Sequence, residues 1–311
     1  MKVYNSLQNI AVDYPNIKFG MTIGNFDGVH LGHQSLIEQS KSFCDREGLK
    51  LILLSFNPHP KELFSPDLTD FYIIDQNQKK NKLESLGVDV FCELNFDHSL
   101  SIKTSTEFLN DLLAAQINIA HLILGYDFKF GADKEKSIEV SKEFCTNNGI
   151  QLDVLSAFKI SDKIVSSSAI RELIKCGEIQ KANSFLGHEF SIEGKVSKGK
   201  GRGKELGFPT ANLSFDVKRI VPSSGVYKTS TLLNGINYSS ITNVGCNPTF
   251  SDVTGKHVET HIFDLDKDIY GENIEITFSK KIRDEIKFNS LDELKNQITK
   301  DIVEVKREVK C

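Results

Sequence analysis

No CxxC pair and no cysteine–histidine cluster at metal-ligand spacing occurs among the six cysteines, Cys44, Cys92, Cys145, Cys176, Cys246 and Cys311. That excludes a zinc framework and leaves free thiols as the reading. Non-disulfide cysteine is among the most buried residue types, so the five internal ones are expected to pack as small hydrophobes. No apolar run approaches the roughly 18 residues of a membrane-spanning helix, which argues against a membrane partner. The amino-terminal stretch MKVYNSLQNIAVDYP lacks a basic segment followed by an apolar one, so export is disfavoured and a cytoplasmic protein is expected. Charge of one sign is missing too: 38 basic against 42 acidic residues leave a net charge of −4, which excludes a chain-wide attraction to nucleic acid or anionic lipid. Any anion site must therefore be local. Internal repeats and low-complexity tracts are also absent, so duplication does not explain a length of 311 residues.

At roughly 100–200 residues per domain that length suits two domains, and 39% hydrophobic with 26% charged residues is enough for ordinary cores. The spacing predicts two unlike halves, with a boundary at 184/185. From Phe19 to about Gly187, apolar runs (FGMTIG, LKLILLSF, VDVFCEL, AHLILG, IQLDVLSA) alternate with helical patterns, the rhythm of a doubly wound, Rossmann-like parallel sheet. The first helix carries Leu36, Ile37, Phe43 and Cys44 at helical spacing and stops at Gly48; Thr104 with Glu107 forms a capping-box signature. A ligand is expected at the carboxyl ends of the strands, where the loops Asn25–His33, Asn57–His59 and Tyr126–Gly131 emerge. Two consecutive helices over Ser166–Gly187 close this half. Beyond Phe190 the pattern turns to strands, with Asn234-Gly235 as a strong hairpin signal, and a final amphipathic helix starts at a Ser290/Glu293 capping box. The second half reads as an antiparallel barrel or sandwich closed by a helix.

Directly after a predicted strand comes GNFDGVHLGH, residues 24–33, leading into a helix. If the helix has begun by His30, His30 and His33 share one face at its positive end, and Gly28 and Gly32 let a phosphate approach the backbone. An exposed helix dipole supplies only about 0.3–1 kcal/mol, so the imidazoles and a metal ion must add to it if a triphosphate is to be held. In the second half, GKVSKGKGRGK (194–204) packs lysines and Arg202 among Gly199, Gly201 and Gly203. Glycines let successive amides turn toward one anion, which describes a phosphate-covering flap. The Walker A spacing is absent, and composition alone leaves open a cationic loop touching RNA.

The first of these segments resembles the HxGH signature of nucleotidyltransferases, in the GxFDGxHxGH form of bacterial bifunctional riboflavin kinase/FAD synthetases. Asn57-Pro58-His59-Pro60, Gly125-Tyr126-Asp127-Phe128-Lys129-Phe130-Gly131 and Ser166-Ser167-Ser168-Ala169-Ile170-Arg171 resemble further motifs of that family, in order. So do LGFPTAN (206–212), NVGCNPTF (243–250) and VETH (258–261) with Tyr270-Gly271. The resemblance covers about Met21 to Asp301 and implies ATP, riboflavin, FMN and FAD as substrates and products, with Mg²⁺. It implies that His30, His33, Ser167 and Arg171 act on ATP phosphates, with Gly24, Phe26, Gly28 and Asp127 lining the nucleotide site. Asn57, Pro58 and His59 would face the flavin. In the second half it implies Thr210 and Asn212 for Mg²⁺ and phosphate, Glu259 as base, and Arg283 near the flavin. Alternation alone leaves Glu259 open as a solvated outward residue, with Thr229 as another. After Gly131 the sequence ADKEKS departs from the family's Gly-Asp, so nothing is carried over there, and one half acting only as a binding module stays open. Oligomeric state is not legible.

Overall fold

The computed structural model describes residues 1–133, 136–199, 203, 206–246 and 256–307, with the side chain of Cys246 left aside. Contacts divide the chain into two compact units, Met1–Leu68 with Gln76–Ser166, and Thr69–Asp75 with Ser167–Cys311.

The first unit is built on β1 (Lys2–Tyr4), β2 (Phe19–Ile23), β3 (Lys50–Asn57), β4 (Val90–Asn95), β5 (Ile119–Gly125) and β6 (Gln151–Leu155). They form one parallel sheet in the order β1-β4-β3-β2-β5-β6. Its helices are α1 (Leu7–Asp13), α2 (Leu31–Glu47), α3 (Pro60–Phe64), α4 (Gln76–Ser85), α5 (His98–Ser101), α6 (Ser105–Ala114) and α7 (Ser137–Asn148); β7 (Lys159–Ile160) and β8 (Lys163–Ile164) form a small ladder. Every residue of β2 is buried, as a strand between two helix layers requires. Chain order runs outward from β2 through β3 to β4, then restarts at β5 on β2's other side. That reversal opens a crevice beyond the carboxyl ends of β2 and β5. The two pieces of sequence that emerge there are the loop before α2 and the turn holding Asp127.

Local choices agree with this layout. α2 buries Ile37, Ser40 and Cys44 and ends on Gly48 in the left-handed conformation. It lies close to β2 because Gly20 has no side chain: a carbon there would collide with Cys44 Sγ. Thr104 and Glu107 form a full capping box, each accepting from the other's backbone N–H. Beyond Gly131, Asp133 accepts from the N–H of Ser105 at 2.6 Å and from its hydroxyl at 2.7 Å. Those bonds, the backbone one first, hold the Asp133 carboxyl below the usual range. The departure from the family pattern thus clasps the loop to the start of α6.

In the second unit, β9 (Phe190–Ser197), β10 (Ala211–Ser214), β11 (Gly225–Leu233), β12 (Ile236–Cys246), β13 (Lys256–Ile262) and β14 (Asn273–Arg283) close an antiparallel barrel in the order β10-β13-β12-β11-β14-β9. Asn234 and Gly235 both take positive φ, 50° and 79°, the paired left-handed turn that the right-handed strand twist favours. The interior is partly polar: Thr229 bonds Ser240 at 2.7 Å and Thr242 at 2.8 Å, and Thr242 donates to Thr260 at 3.0 Å. Thr229, read from alternation as a possible outward residue, therefore points inward at 4% exposure. Each buried hydroxyl has a partner, which removes the penalty of taking it out of water.

Two helices, α8 (Ser167–Lys175) and α9 (Ile179–Leu186), belong by contact to this unit. Asn183 fastens them, donating to the Phe278 carbonyl and accepting from the Phe190 N–H, both at 2.9 Å. The strand–helix rhythm does not register this, since a helix following β6 reads the same whichever core it joins. The Thr69–Asp75 segment joins the barrel through a parallel bridge between Tyr72 and Arg219 and a 3.0 Å pair between Asp70 and Lys256. The last helix, α10 (Leu291–Arg307), starts with Ser290 accepting from the Glu293 N–H. Glu293 reaches back to the N–H of Asn289 at 3.0 Å, so the expected capping box is displaced by one residue. Of the cysteines, Cys44, Cys92 and Cys145 are buried and free, and burial pushes their thiols up to about 11, 12 and 11. Cys176 corrects the expectation: it is exposed, just before Gly177 at the end of α8.

Candidate active site

At the switch point of the sheet, Gly24 anchors the loop after β2 by donating to the Leu54 carbonyl at 3.0 Å. The chain then turns through three positive φ values, Phe26 (53°), Gly28 (87°) and Val29 (37°). Only glycine takes that conformation freely, so Phe26 and Val29 are held there by their surroundings. Both are 1% exposed. The Phe26 ring lies under the loop, 5.1 Å from the ring of His33.

His30 is the N-cap of α2, extended at φ −69° and ψ 170°, and its Nδ1 accepts from the His33 N–H at 3.3 Å. With Nδ1 accepting, a neutral ring carries its proton on Nε2. The His30 and His33 rings stack at 3.6 Å and 15°. Gly32 permits this: a side-chain carbon there would stand 3.2 Å from the His30 ring. The helix start therefore presents two imidazoles, backbone N–H groups and the positive dipole end at one point.

The other residues expected in this half are placed as follows. Asp127 is exposed in the turn after β5, just before Phe128 and Phe130, whose rings stack on one another. Asn57 ends β3, Pro58 follows it in a cis bond, and His59 caps α3 by accepting from the Lys61 N–H at 3.1 Å. Ser167 opens α8 in the second unit. Arg171, one turn further, donates from Nε to the Phe71 carbonyl at 2.8 Å and lies 3.9 Å over the Phe71 ring.

The barrel unit holds a cavity of about 310 Å³ between the outer face of its strands and α10. Val258, Thr260 and Ile262 are buried, so Glu259 and His261 face the other way. Outward here means into this cavity, whose wall includes Glu259, His261, Thr210, Asn243 and Arg283. Ladder register sets Glu259 opposite Asn212 on β10 and Asn243 on β12. His261 donates from Nδ1 to the Pro209 carbonyl at 2.8 Å, tying the PTAN segment to β13.

Thr210 and Asn212 stand beside the glycines of the basic loop. A side-chain carbon at Gly199 would collide with the Asn212 amide, and one at Gly203 would come within 3.0 Å of Thr210 Oγ1. The close approach of backbone to two neutral oxygen donors fits Mg²⁺ that arrives with phosphate oxygens as its remaining ligands. Among the described residues no three His, Cys, Asp or Glu side chains gather into a metal-holding set. Gly201 and Arg202 lie outside the described residues. A second hollow of about 320 Å³ borders Thr210 and runs along Val196, Pro209, Thr260 and Tyr270.

Arg283 lines the cavity, but its guanidinium is engaged: Nε and Nη2 donate to Asp301 at 3.0 and 2.8 Å, and Nη1 to the Asp284 carbonyl at 3.0 Å. Asp301, on α10, is 3% exposed. The pair fixes the helix over the cavity. Breaking a buried pair from one side leaves the other charge stranded, at a cost of about 3–5 kcal/mol. Asp301→Ala is expected to lower unfolding stability by that order in denaturant titration, and to weaken riboflavin phosphorylation as the α10 wall loosens. Unchanged stability would show the pair to be marginal.

Sequence reasoning missed Asp301, because an acid inside an amphipathic helix reads as solvated. It also missed a buried cluster of Lys79, Ser55 and Glu93 beside the first loop. In α4 (QNQKKNKLES) the only signal is that Lys79 and Leu83 share a face at i and i+4.

Two unlike scaffolds, one presenting paired imidazoles at a sheet's switch point and the other a carboxylate over a walled cavity, define a two-site transferase. A family model described as FAD synthetase matches residues 15–169, and one described as riboflavin kinase matches residues 186–309. Similar curated proteins include the bifunctional riboflavin kinase/FMN adenylyltransferases of Bacillus subtilis (strain 168) and Escherichia coli (strain K12). The first is 33% identical, covering 90% of this chain and 89% of its own; the second is 33% identical, covering 97% and 96%. A solved structure described as a macrolide-efflux protein from Streptococcus pneumoniae is also similar, at 30% identity and a TM-score of 0.86 over 94% of each chain. Among the described residues no helix is long and apolar enough to cross a membrane. The chain belongs to the bacterial bifunctional riboflavin kinase/FMN adenylyltransferase family, enzymes of flavin cofactor synthesis.

Proposed function

We propose that the barrel unit phosphorylates riboflavin to FMN with ATP, and that the sheet unit transfers AMP from a second ATP to FMN, releasing pyrophosphate and FAD. The observation that carries this division is the position of Glu259, on the wall of the cavity beside Thr210. A ribityl hydroxyl is a weak nucleophile whose proton must leave during phosphoryl transfer, so a carboxylate within reach is required. An FMN phosphate is already an anion near neutral pH and needs only alignment and charge neutralisation. The first site offers those, through His30 Nε2–H, His33 and the start of α2.

Within this reading, Glu259 accepts the hydroxyl proton, and Thr210 and Asn212 hold Mg²⁺ with the nucleotide phosphates under the basic loop. The ion supplies neutralisation of phosphate charge. In the sheet unit, Gly24, Phe26 and Gly28 shape the nucleotide loop, Asp127 serves the nucleotide, and Asn57, Pro58 and His59 face the flavin. For Ser167 and Arg171, and for Gly201 and Arg202, the support is the motif alone. Arg283 acts by holding α10 over the cavity. The functional boundary is placed at 184/185, close to where the second family model begins at residue 186. The protein works on small molecules in the cytoplasm, without nucleic acid or membrane.

The test is a time course of the purified chain with riboflavin, ATP and Mg²⁺, resolved by chromatography. FMN should rise first and FAD follow, with neither formed when Mg²⁺ is chelated. FMN without FAD would reduce the sheet unit to a binding module.

A further inference from the structure

Lys79 is a cation inside the first unit, 5% exposed, on a helix whose sequence gives it no evident task. Its Nζ donates to Ser55 Oγ at 2.8 Å and stands 3.8 Å from Glu93 Oε1. Charged groups face it from the packed elements: Glu93 on β4, Asp27 on the loop after β2, and Lys80 on its own helix; Ser55 on β3 is neutral. Loss of water outweighs the two carboxylates and lowers its pKa to about 8. Glu93 Oε1, also buried, has no hydrogen-bond partner among the described residues. A fold seeking only stability would place an apolar side chain here, so the charge calls for another reason.

The contacts supply one. Ser55 passes the bond on, donating to the Asn25 carbonyl at 3.3 Å, inside the loop that carries His30. On the other side Glu93 Oε2 accepts from Asn57 Nδ2 at 3.5 Å, at the head of the Asn57-Pro58-His59 turn. One intervening side chain thus joins a single ammonium to each of the two loops that leave the carboxyl ends of β2 and β3. The first of these loops holds Phe26 and Val29 at positive φ, a conformation that persists only when neighbours enforce it.

We propose that Lys79 is a positioning residue for adenylyl transfer, holding the imidazole loop and the Asn57–His59 turn in fixed relation so that nucleotide and FMN phosphates meet in line. The proposal rests on the adenylyl-transfer reading of that site. Misplacement by about 1 Å costs on the order of 10²-fold in rate, which sets the scale expected.

The experiment compares wild type, Lys79→Met, Lys79→Arg and the double variant Lys79→Met/Glu93→Gln as full chains. Riboflavin phosphorylation is the internal control and should stay within twofold. At pH 7, Lys79→Met should lower kcat for FAD formation from FMN by about 30- to 100-fold, with KM for ATP changed less than about threefold. Lys79→Arg should keep most of the rate. Wild type should lose FAD formation above about pH 8, as proton loss releases Glu93 and Asp27, and Lys79→Arg should move that fall upward by about one pH unit or more. The double variant removes both members of the Lys79–Glu93 pair together, so it should stay folded by circular dichroism and still be slow by about tenfold or more. A Lys79→Met rate near that of wild type, a double variant restored to it, or an alkaline fall unmoved in Lys79→Arg would overturn the proposal. A wild-type chain making FMN but never FAD would instead overturn the adenylyl reading, and this inference with it.

Discussion

Glu259→Gln is expected to slow riboflavin phosphorylation by about 10²–10⁴-fold, the range that a positioned general base contributes. Externally supplied FMN should still be converted to FAD. Glutamine keeps the shape and hydrogen-bonding reach of the side chain but cannot take a proton, so the loss reports proton transfer and leaves packing intact. Glu259 occupies the middle of β13 with Asn212 and Asn243 directly across on either side, so its backbone position is fixed by two ladders. Both of its ladder partners belong to the barrel unit. The measurement is kcat for FMN formation, which should fall alone while KM for riboflavin changes by a few-fold at most. A rate within threefold of wild type would remove Glu259 from catalysis and turn attention to the other groups on the cavity wall, Glu285 and His261.

Much of the fold is legible in the sequence, and the reasons differ by element. Of the five runs that become β2 to β6, β2 and β3 stand out most because a strand covered on both faces is apolar at nearly every position and these two are buried almost throughout, whereas the edge strand β6 has no buried residue. The Asn234-Gly235 turn is legible because two consecutive left-handed residues tolerate few alternatives. Glu259 and the histidine pair stand out in the sequence because their motifs combine residue types that chemistry needs at fixed spacing. What stayed hidden depends on tertiary contact. The three-residue edge strand β1, Lys2–Tyr4, is too short to show periodicity. The transfer of α8, α9 and Thr69–Asp75 to the barrel unit depends on single anchors such as Asn183 and Arg171. Lys79 and Asp301 read as solvent-facing charges in polar helices, and only the surrounding walls make them buried ones.

His30→Ala is expected to let FMN accumulate from riboflavin while FAD formation falls by about 10²–10³-fold, the effect of removing one donor aimed at developing charge. Two roles are lost together in that variant. The Nδ1 atom caps α2 by accepting from the His33 N–H, and truncating an N-cap costs about 1 kcal/mol of stability. In the proposed reading Nε2–H serves a phosphate oxygen. His30→Asn separates them, since asparagine is a favoured N-cap but cannot extend a donor as far as Nε2. Its thermal midpoint should return toward wild type while FAD formation stays slow, and His33→Ala, which leaves the cap acceptor in place, should also accumulate FMN. If His30→Asn recovers FAD formation in step with stability, the imidazole serves the helix rather than the nucleotide. The stacked rings, 3.6 Å apart at the mouth of the switch-point crevice, would then be a way of starting α2, and the charge at the α-phosphorus would have to be met by the backbone and by groups beyond this loop.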